Sequence, residues 1–224
     1  LACGGSDNTS EVNSNLAPST PVAVPQFSGN ALTGHRYYIN VFSTGAVSYT
    51  ASSDKNSTLA ASGTSGSFAY SPAQVGSDVV TFTAKGADNA TATSVATYTV
   101  VANTSPKPAE SFSVRAGAKS GELQLPSTDA DGDTVTWSVA SGGTFPASAA
   151  SITSDKIHLV LDATSVATGT YTLNLTSSEG GPNIDPSRPI TTNHQVTVAV
   201  GTSGGSTVIP GVADGEIVTN LPNN

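Results

Sequence analysis

Three carboxylates, Asp129, Asp131 and Asp133, alternate around Gly132 in the stretch Ser127-Thr128-Asp129-Ala130-Asp131-Gly132-Asp133-Thr134. Side chains at alternate positions of a tight turn could face one hard cation. Calcium takes about 6–8 oxygens. The three carboxylates would supply three of them, and backbone carbonyls and water the rest. The loop departs from an EF-hand, because its twelfth position is Ala140 and not a bidentate Glu. A solvated acidic turn, in which Asp and Gly simply suit the backbone, is the other reading of the same residues. The comparable place in the first half of the chain, Ser43-Thr44-Gly45, carries no carboxylate. Calcium is the one cofactor the sequence suggests.

Catalytic chemistry finds little to work with. His35, His158 and His194 lie on or beside predicted strands and lack an H-x-x-x-H or H-E-x-x-H context. G-x-S-x-G, P-loop and C-x-x-C patterns are missing as well. His158 lies between Ile157 and Leu159, which predicts that it points outward from a half-buried strand. The expectation is a protein that is not an enzyme. Net charge is −8, and the eight basic residues form no run. Phosphate binding needs clustered Lys and Arg, so nucleic acid is an unfavourable partner.

The elements that must position the acidic turn are short alternating strands separated by Gly, Ser, Asp and Pro. They occur in two comparable sets. The first runs through Tyr37 to Phe42, Ala46 to Ala51, Phe68 and Tyr70, Val79 to Ala84, and Thr93 to Ala102. The second runs through Glu110 to Ala116, Gly121 to Leu125, Thr134 to Ala140, Ile157 to Leu161, Tyr171 to Leu175, and Gln195 to Val200. A unit of this size and pattern predicts an all-β chain of two tandem Ig-like β-sandwich domains with extended N- and C-terminal tails. The expected division is a tether over 1–21, domain one over 22–103, a Pro-containing linker over 104–108, domain two over 109–201 and a tail over 202–224. Pro21 and Pro25 bracket an extended segment fit only for a sheet edge. The aromatics, Trp137 among them, are expected to pack the two cores.

Two resemblances follow from these residues. Ser127 to Ser138 resembles the D-x-D-G-D turn before a strand in bacterial cadherin-like and related Ig-like tandem modules. A second echo of that group lies in Gly66 to Ala73 followed by Gly76 to Phe82. The start, Leu1-Ala2-Cys3-Gly4-Gly5-Ser6, resembles the end of a bacterial lipobox, in which a cysteine receives lipid and a flexible tether follows. Cys3 is the only cysteine, so no disulfide can form within the chain. Met is absent, as expected of a chain whose leader has been removed or lies upstream. The resemblance implies a surface lipoprotein, extracellular or at the cell surface, with attachment to an outer membrane through lipidated Cys3.

The tail carries a further expectation. After Gly201-Thr202-Ser203-Gly204-Gly205-Ser206 comes a strand-like apolar peptide with Val208, Val212, Ile217 and Val218. Such a peptide could add to the sheet edge of another subunit, its side chains filling the groove. A head-to-tail contact of that kind does not close and generates a homopolymer. The leading expectation is therefore a non-enzymatic subunit of a surface filament or stalk. The alternative is a monomeric, lipid-anchored adhesin or carbohydrate-binding module, which predicts exposed aromatics on one sheet face or at loop tips.

Overall fold

The chain is all-β. In the computed structural model it divides into two compact units, Leu1–Ala102 and Asn103–Asn224, and the structure describes residues 17–61 and 66–202. Cys3, Val208, Val212, Ile217 and Val218 lie outside the described residues.

Among its described residues the first unit contains eight strands: β1 (Val22–Pro25), β2 (Ala31–Leu32), β3 (Tyr37–Phe42), β4 (Ala46–Ser53), β5 (Thr58–Ala61), β6 (Ser67–Ser71), β7 (Gly76–Gly86) and β8 (Thr91–Val101). They form two four-stranded sheets, in the orders β1-β3-β6-β5 and β2-β8-β7-β4. Alternation decides which side chains enter the space between the sheets. On β3, Tyr37, Ile39 and Val41 are buried, and on β7, Val80, Phe82 and Ala84. Tyr37, Ile39, Val41, Val80 and Phe82 join Phe68, Tyr70, Tyr98 and Val100 in one cluster, which makes the pair of sheets a sandwich. Each large side chain fully buried in this way contributes about 1.5–3 kcal/mol.

The second unit contains β9 (Ser111–Arg115), β10 (Leu123–Gln124), β11 (Thr134–Ala140), β12 (Ala150–Ile152), β13 (His158–Leu161), β14 (Gly169–Gly180) and β15 (Thr191–Gly201). Its sheets run β11-β14-β15-β9 and β10-β13-β12. Trp137 is 2% exposed in a core with Phe112, Phe145, Leu173, Leu175 and Val198, and its indole N–H donates to Pro126 O at 2.7 Å. In each unit the last long strand pairs in parallel with an early short one, β8 with β2 and β15 with β9.

Three strands escaped the sequence pattern: β2, β5 and β12 have two, four and three residues. Alternation needs several residues to register, and these strands are formed by pairing with neighbours already in place. Val22–Pro25 takes the edge position that its proline requires. Two aromatics depart from the expected burial: Tyr38 is 42% and Phe42 59% exposed, on the outward parity of β3.

One carboxylate lies inside the first sandwich. Asp78 takes the first inward position of β7 and is fully buried. Three hydroxyls donate to it: Ser53 at 2.6 Å, Ser57 at 2.5 Å and Tyr70 at 2.8 Å. Burial and the neighbouring Asp78 carboxylate both raise the Tyr70 phenol above its ordinary value, and burial pushes Tyr98 up to about 12. In the unfolded chain both ionise near pH ~10. Above that pH the folded state holds more protons than the unfolded one, so stability is complete below pH ~10 and falls as pH rises through the folded values. Tyr70→Phe removes one donor from a buried carboxylate and is expected to cost about 1–2 kcal/mol, or roughly 4–16 °C in melting of the first unit. Differential scanning calorimetry from pH 7 to 11 checks both effects. An unchanged melting temperature in the variant would show that the Asp78 network contributes no net stability.

Candidate metal centre

The inward parity of β14 leads to the second buried carboxylate. Leu173 and Leu175 face the core, and the same parity continues through Ser177 and Glu179. Glu179 is 3% exposed. Register sets it opposite Val135, so the end of β14 lies against the turn that leads into β11. That turn is the acidic stretch. A bridge between Thr128 and Thr134 closes it, and Gly132 holds φ at +90°, a backbone state open to glycine.

Asp129 organises the turn. Its Oδ1 accepts the backbone N–H groups of Asp131 at 2.9 Å and Asp133 at 3.1 Å. Its Oδ2 is buried and takes no protein hydrogen bond. Asp129, Asp133 and Glu179 each offer a carboxylate oxygen within 4.8 Å of the others. Asp131 is directed elsewhere: its Oδ2 accepts the backbone N–H of Thr104 at 2.5 Å. Asn103 donates from Nδ2 to Glu179 Oε2 at 2.9 Å. Of the three aspartates in the sequence motif, the fold thus gathers Asp129 and Asp133 and adds Glu179.

The arrangement has a clear chemical capacity. Ionised carboxylates at this separation repel by a few kcal/mol per pair at an effective dielectric near ~20. A divalent cation between them turns that repulsion into attraction. The donors are all oxygens, which suits calcium or magnesium better than zinc. A buried Asp129 oxygen without a protein donor fits a cation ligand, because burying a charged oxygen without a partner is otherwise costly. The signal that could have found Glu179 is its parity: Leu173, Leu175, Ser177 and Glu179 occupy every second position of one strand.

The histidines have structural partners. His158 Nδ1 lies 2.6 Å from Asp155 Oδ2. The Thr153 hydroxyl and the Ile157 N–H, followed by His158, hold the Asp155 carboxyl down to about 2. His35 is buried beside Tyr37, with Nδ1 3.3 Å from Thr33 O. His194 packs on Trp137 with ring centroids 5.1 Å apart, and burial lowers its pKa. Its Nε2 lies 2.9 Å from Ser177 Oγ. This is a Ser–His contact, but Ser177 is fully buried and also donates to Thr192 O. A nucleophile in that position has no room to meet a substrate.

No family model and no curated protein matches the sequence. The chain is similar to solved extracellular domains of cadherin-like and Ig-like type. They include the human desmocollin-1 ectodomain at 11% identity, covering 79% of this chain and 35% of that one, with a TM-score of 0.35. Mouse protocadherin-24 EC1-3 matches at 19% identity over 81% of this chain and 65% of that one, with a TM-score of 0.31. The insect immune protein hemolin matches at 16% identity over 80% and 46%, with a TM-score of 0.29. The alignment spans 50% of the protocadherin gammaB7 EC3-6 chain.

Extracellular calcium modules bind with Kd of about 0.1–1 mM. At a hundredfold excess over Kd, binding adds about 2.7 kcal/mol. For a unit of this size, that corresponds to roughly 10 °C or more in melting temperature. In 10 mM calcium, a hundredfold over a Kd of about 0.1 mM, the second unit of the native chain is expected to gain that shift, Asp131→Asn to keep most of it and Glu179→Gln to lose it. A native melting curve indifferent to calcium would rule the site out.

Proposed function

We propose that this chain is a non-enzymatic extracellular structural protein whose second sandwich is stiffened by calcium. The observation that carries the reading is the convergence of Asp129 and Asp133 with the buried Glu179 at one end of that sandwich. A cation there would tie three segments together: the acidic turn, the end of β14 and, through Asn103, the start of the unit. Crosslinking at the end of a module is useful in a protein that transmits load, because it restrains the segment where neighbouring modules join. Among the described residues, no helix is long and apolar enough to cross a membrane.

The finer proposal is assembly. Residues 207–224 of one subunit would add as a strand to a sheet edge of the next, with Val208, Val212, Ile217 and Val218 as groove-filling side chains. A suitable acceptor is β4, the longest edge strand among the described residues. It pairs only with β7 and contains neither a charge nor a proline. Edge strands of this kind are templates for pairing unless blocked. Cys3 would carry lipid and hold the base of the assembly on the outer membrane, each buried CH₂ adding about 0.8 kcal/mol of membrane affinity. The second reading, a tethered carbohydrate-binding adhesin, is favoured by the two aromatic rings that stand outward on β3.

Electron microscopy of cell-derived protein is expected to show regular filaments, and removal of residues 207–224 to abolish them while both units still fold. Normal filaments from the truncated chain would refute strand addition by the tail. The mass of the N-terminal peptide from the same preparation is expected to exceed its sequence mass by that of acyl chains on Cys3. An unmodified peptide would remove the lipid anchor from this account.

A further inference from the structure

The four-stranded sheets turn different faces outward. On β8 the exposed outward positions are Thr91, Thr93, Val95, Thr97 and Thr99. On β15 they include Thr191, Asn193, Gln195 and Ala199. The sheet that contains β1 and β3 breaks this pattern. Tyr38, Asn40 and Phe42 take the outward positions of β3. Val24 lies directly opposite Asn40, and Val22 opposite Phe42. On the other flank, Ala69 and Ser67 of β6 lie opposite Tyr38 and Asn40.

The strip has a defined chemistry. Its two rings are four residues apart on one strand, about 13 Å at ~3.3 Å per residue. This span can underlie a short run of pyranose rings. The amide of Asn40 stands between the two rings. Beyond Phe42 the strip runs into a groove of about 500 Å³, walled by Val22, Phe42 and Tyr49 together with Ser19, Ser43 and Thr44. That groove is preformed: Ser19 Oγ accepts the Thr44 N–H at 2.9 Å, and Tyr49 Oη accepts the Ser43 N–H at 3.0 Å. At the other end, the Arg36 guanidinium lies 5.8 Å from the centre of the Tyr38 ring. None of these positions is a carboxylate, in a chain with 16 acidic residues.

We propose that the outer face of β1 and β3 is a binding platform for an extended neutral polysaccharide. The rings of Tyr38 and Phe42 would stack on the apolar C–H faces of sugars. Asn40 and the groove hydroxyls would exchange hydrogen bonds with sugar hydroxyls. Exposed apolar strips mark interaction sites, and flat aromatic rings with polar groups between them suit a ligand that is itself apolar on its faces and polar at its edges. A second copy of this chain fits less well. A standard protein interface buries about 800 Å² per partner around an apolar centre, and here Asn40 would be desolvated in that centre. The proposal deepens the carbohydrate-binding reading and is independent of calcium, since the acidic cluster belongs to the other unit.

The test is a glycan array spanning neutral and acidic polysaccharides, read in EDTA with the full chain, followed by titration with hexasaccharides of each bound class. The native chain is expected to bind neutral glycans. Tyr38→Ala and Phe42→Ala are each expected to weaken binding about tenfold or more, as loss of a central aromatic does. Val95→Ala, equally exposed on the other sheet, is expected to leave it unchanged. Both aromatics are outside the core, and an unaltered melting temperature verifies that each variant folds. Binding to acidic glycans alone, binding to none, or loss of a concentration-dependent dimer on Phe42→Ala without any glycan binding would each overturn the proposal. Running the array in EDTA keeps a failure of the calcium site from appearing as a failure of the platform.

Discussion

A carboxylate on the inward parity of a strand must find partners inside the sandwich, and both units contain one. Asp78 begins the inward series of β7, and Glu179 ends that of β14. Water cannot reach either to any useful extent. The first unit compensates with three hydroxyls drawn from β4, the following turn and β6. The second brings Asn103 and the acidic turn to the same end of β14. The same constraint thus gives two outcomes. Where hydroxyl donors surround the carboxylate, the result is a closed structural network. Where further carboxylates surround it, the result is an acidic cluster.

The two solutions divide the labour of the molecule. The Asp78 network fixes the edge strand β4 against β6 and β7. Asn103 and Thr104 tie the start of the second unit to Glu179 on β14 and to Asp131 in the β11 turn. Around these fixed ends the cores are ordinary packed aromatics and branched aliphatics. The outward parity is then free to vary. Most of it is threonine, serine and amide, which suits strands and leaves little for a ligand to grip. The strip on β3 departs from this, and its departure is chemical: two rings and an amide where the neighbouring sheet has hydroxyls.

Much of this was legible in the chain. Alternation in Tyr37 to Phe42, Val79 to Ala84 and Gln195 to Val200 announced the long strands, and Pro25 confined its segment to an edge. Trp137, expected in the core, is 2% exposed. The acidic turn was visible because three aspartates and a glycine are adjacent in sequence. Tyr38 and Phe42 have the outward parity of β3, yet parity does not say which set of an alternating pair faces in when both sets contain aromatics. In Tyr37-Tyr38-Ile39-Asn40-Val41-Phe42 the inward set is the one without the asparagine.

Local residue order settles the class of fold, the positions of the long strands and the backbone of the Asp129–Asp133 turn, because each depends on residues within a few positions of one another. Strand packing brings Glu179 to that turn, directs Asp131 to Thr104 and surrounds Asp78 with three hydroxyls. The separations are 27 positions for Asp131 with Thr104, 25, 21 and 8 for Ser53, Ser57 and Tyr70 with Asp78, and 46 for the paired Thr134 and Gly180 that set the β11–β14 register. Strand pairing fixes such distances, and no local pattern encodes which strands will pair.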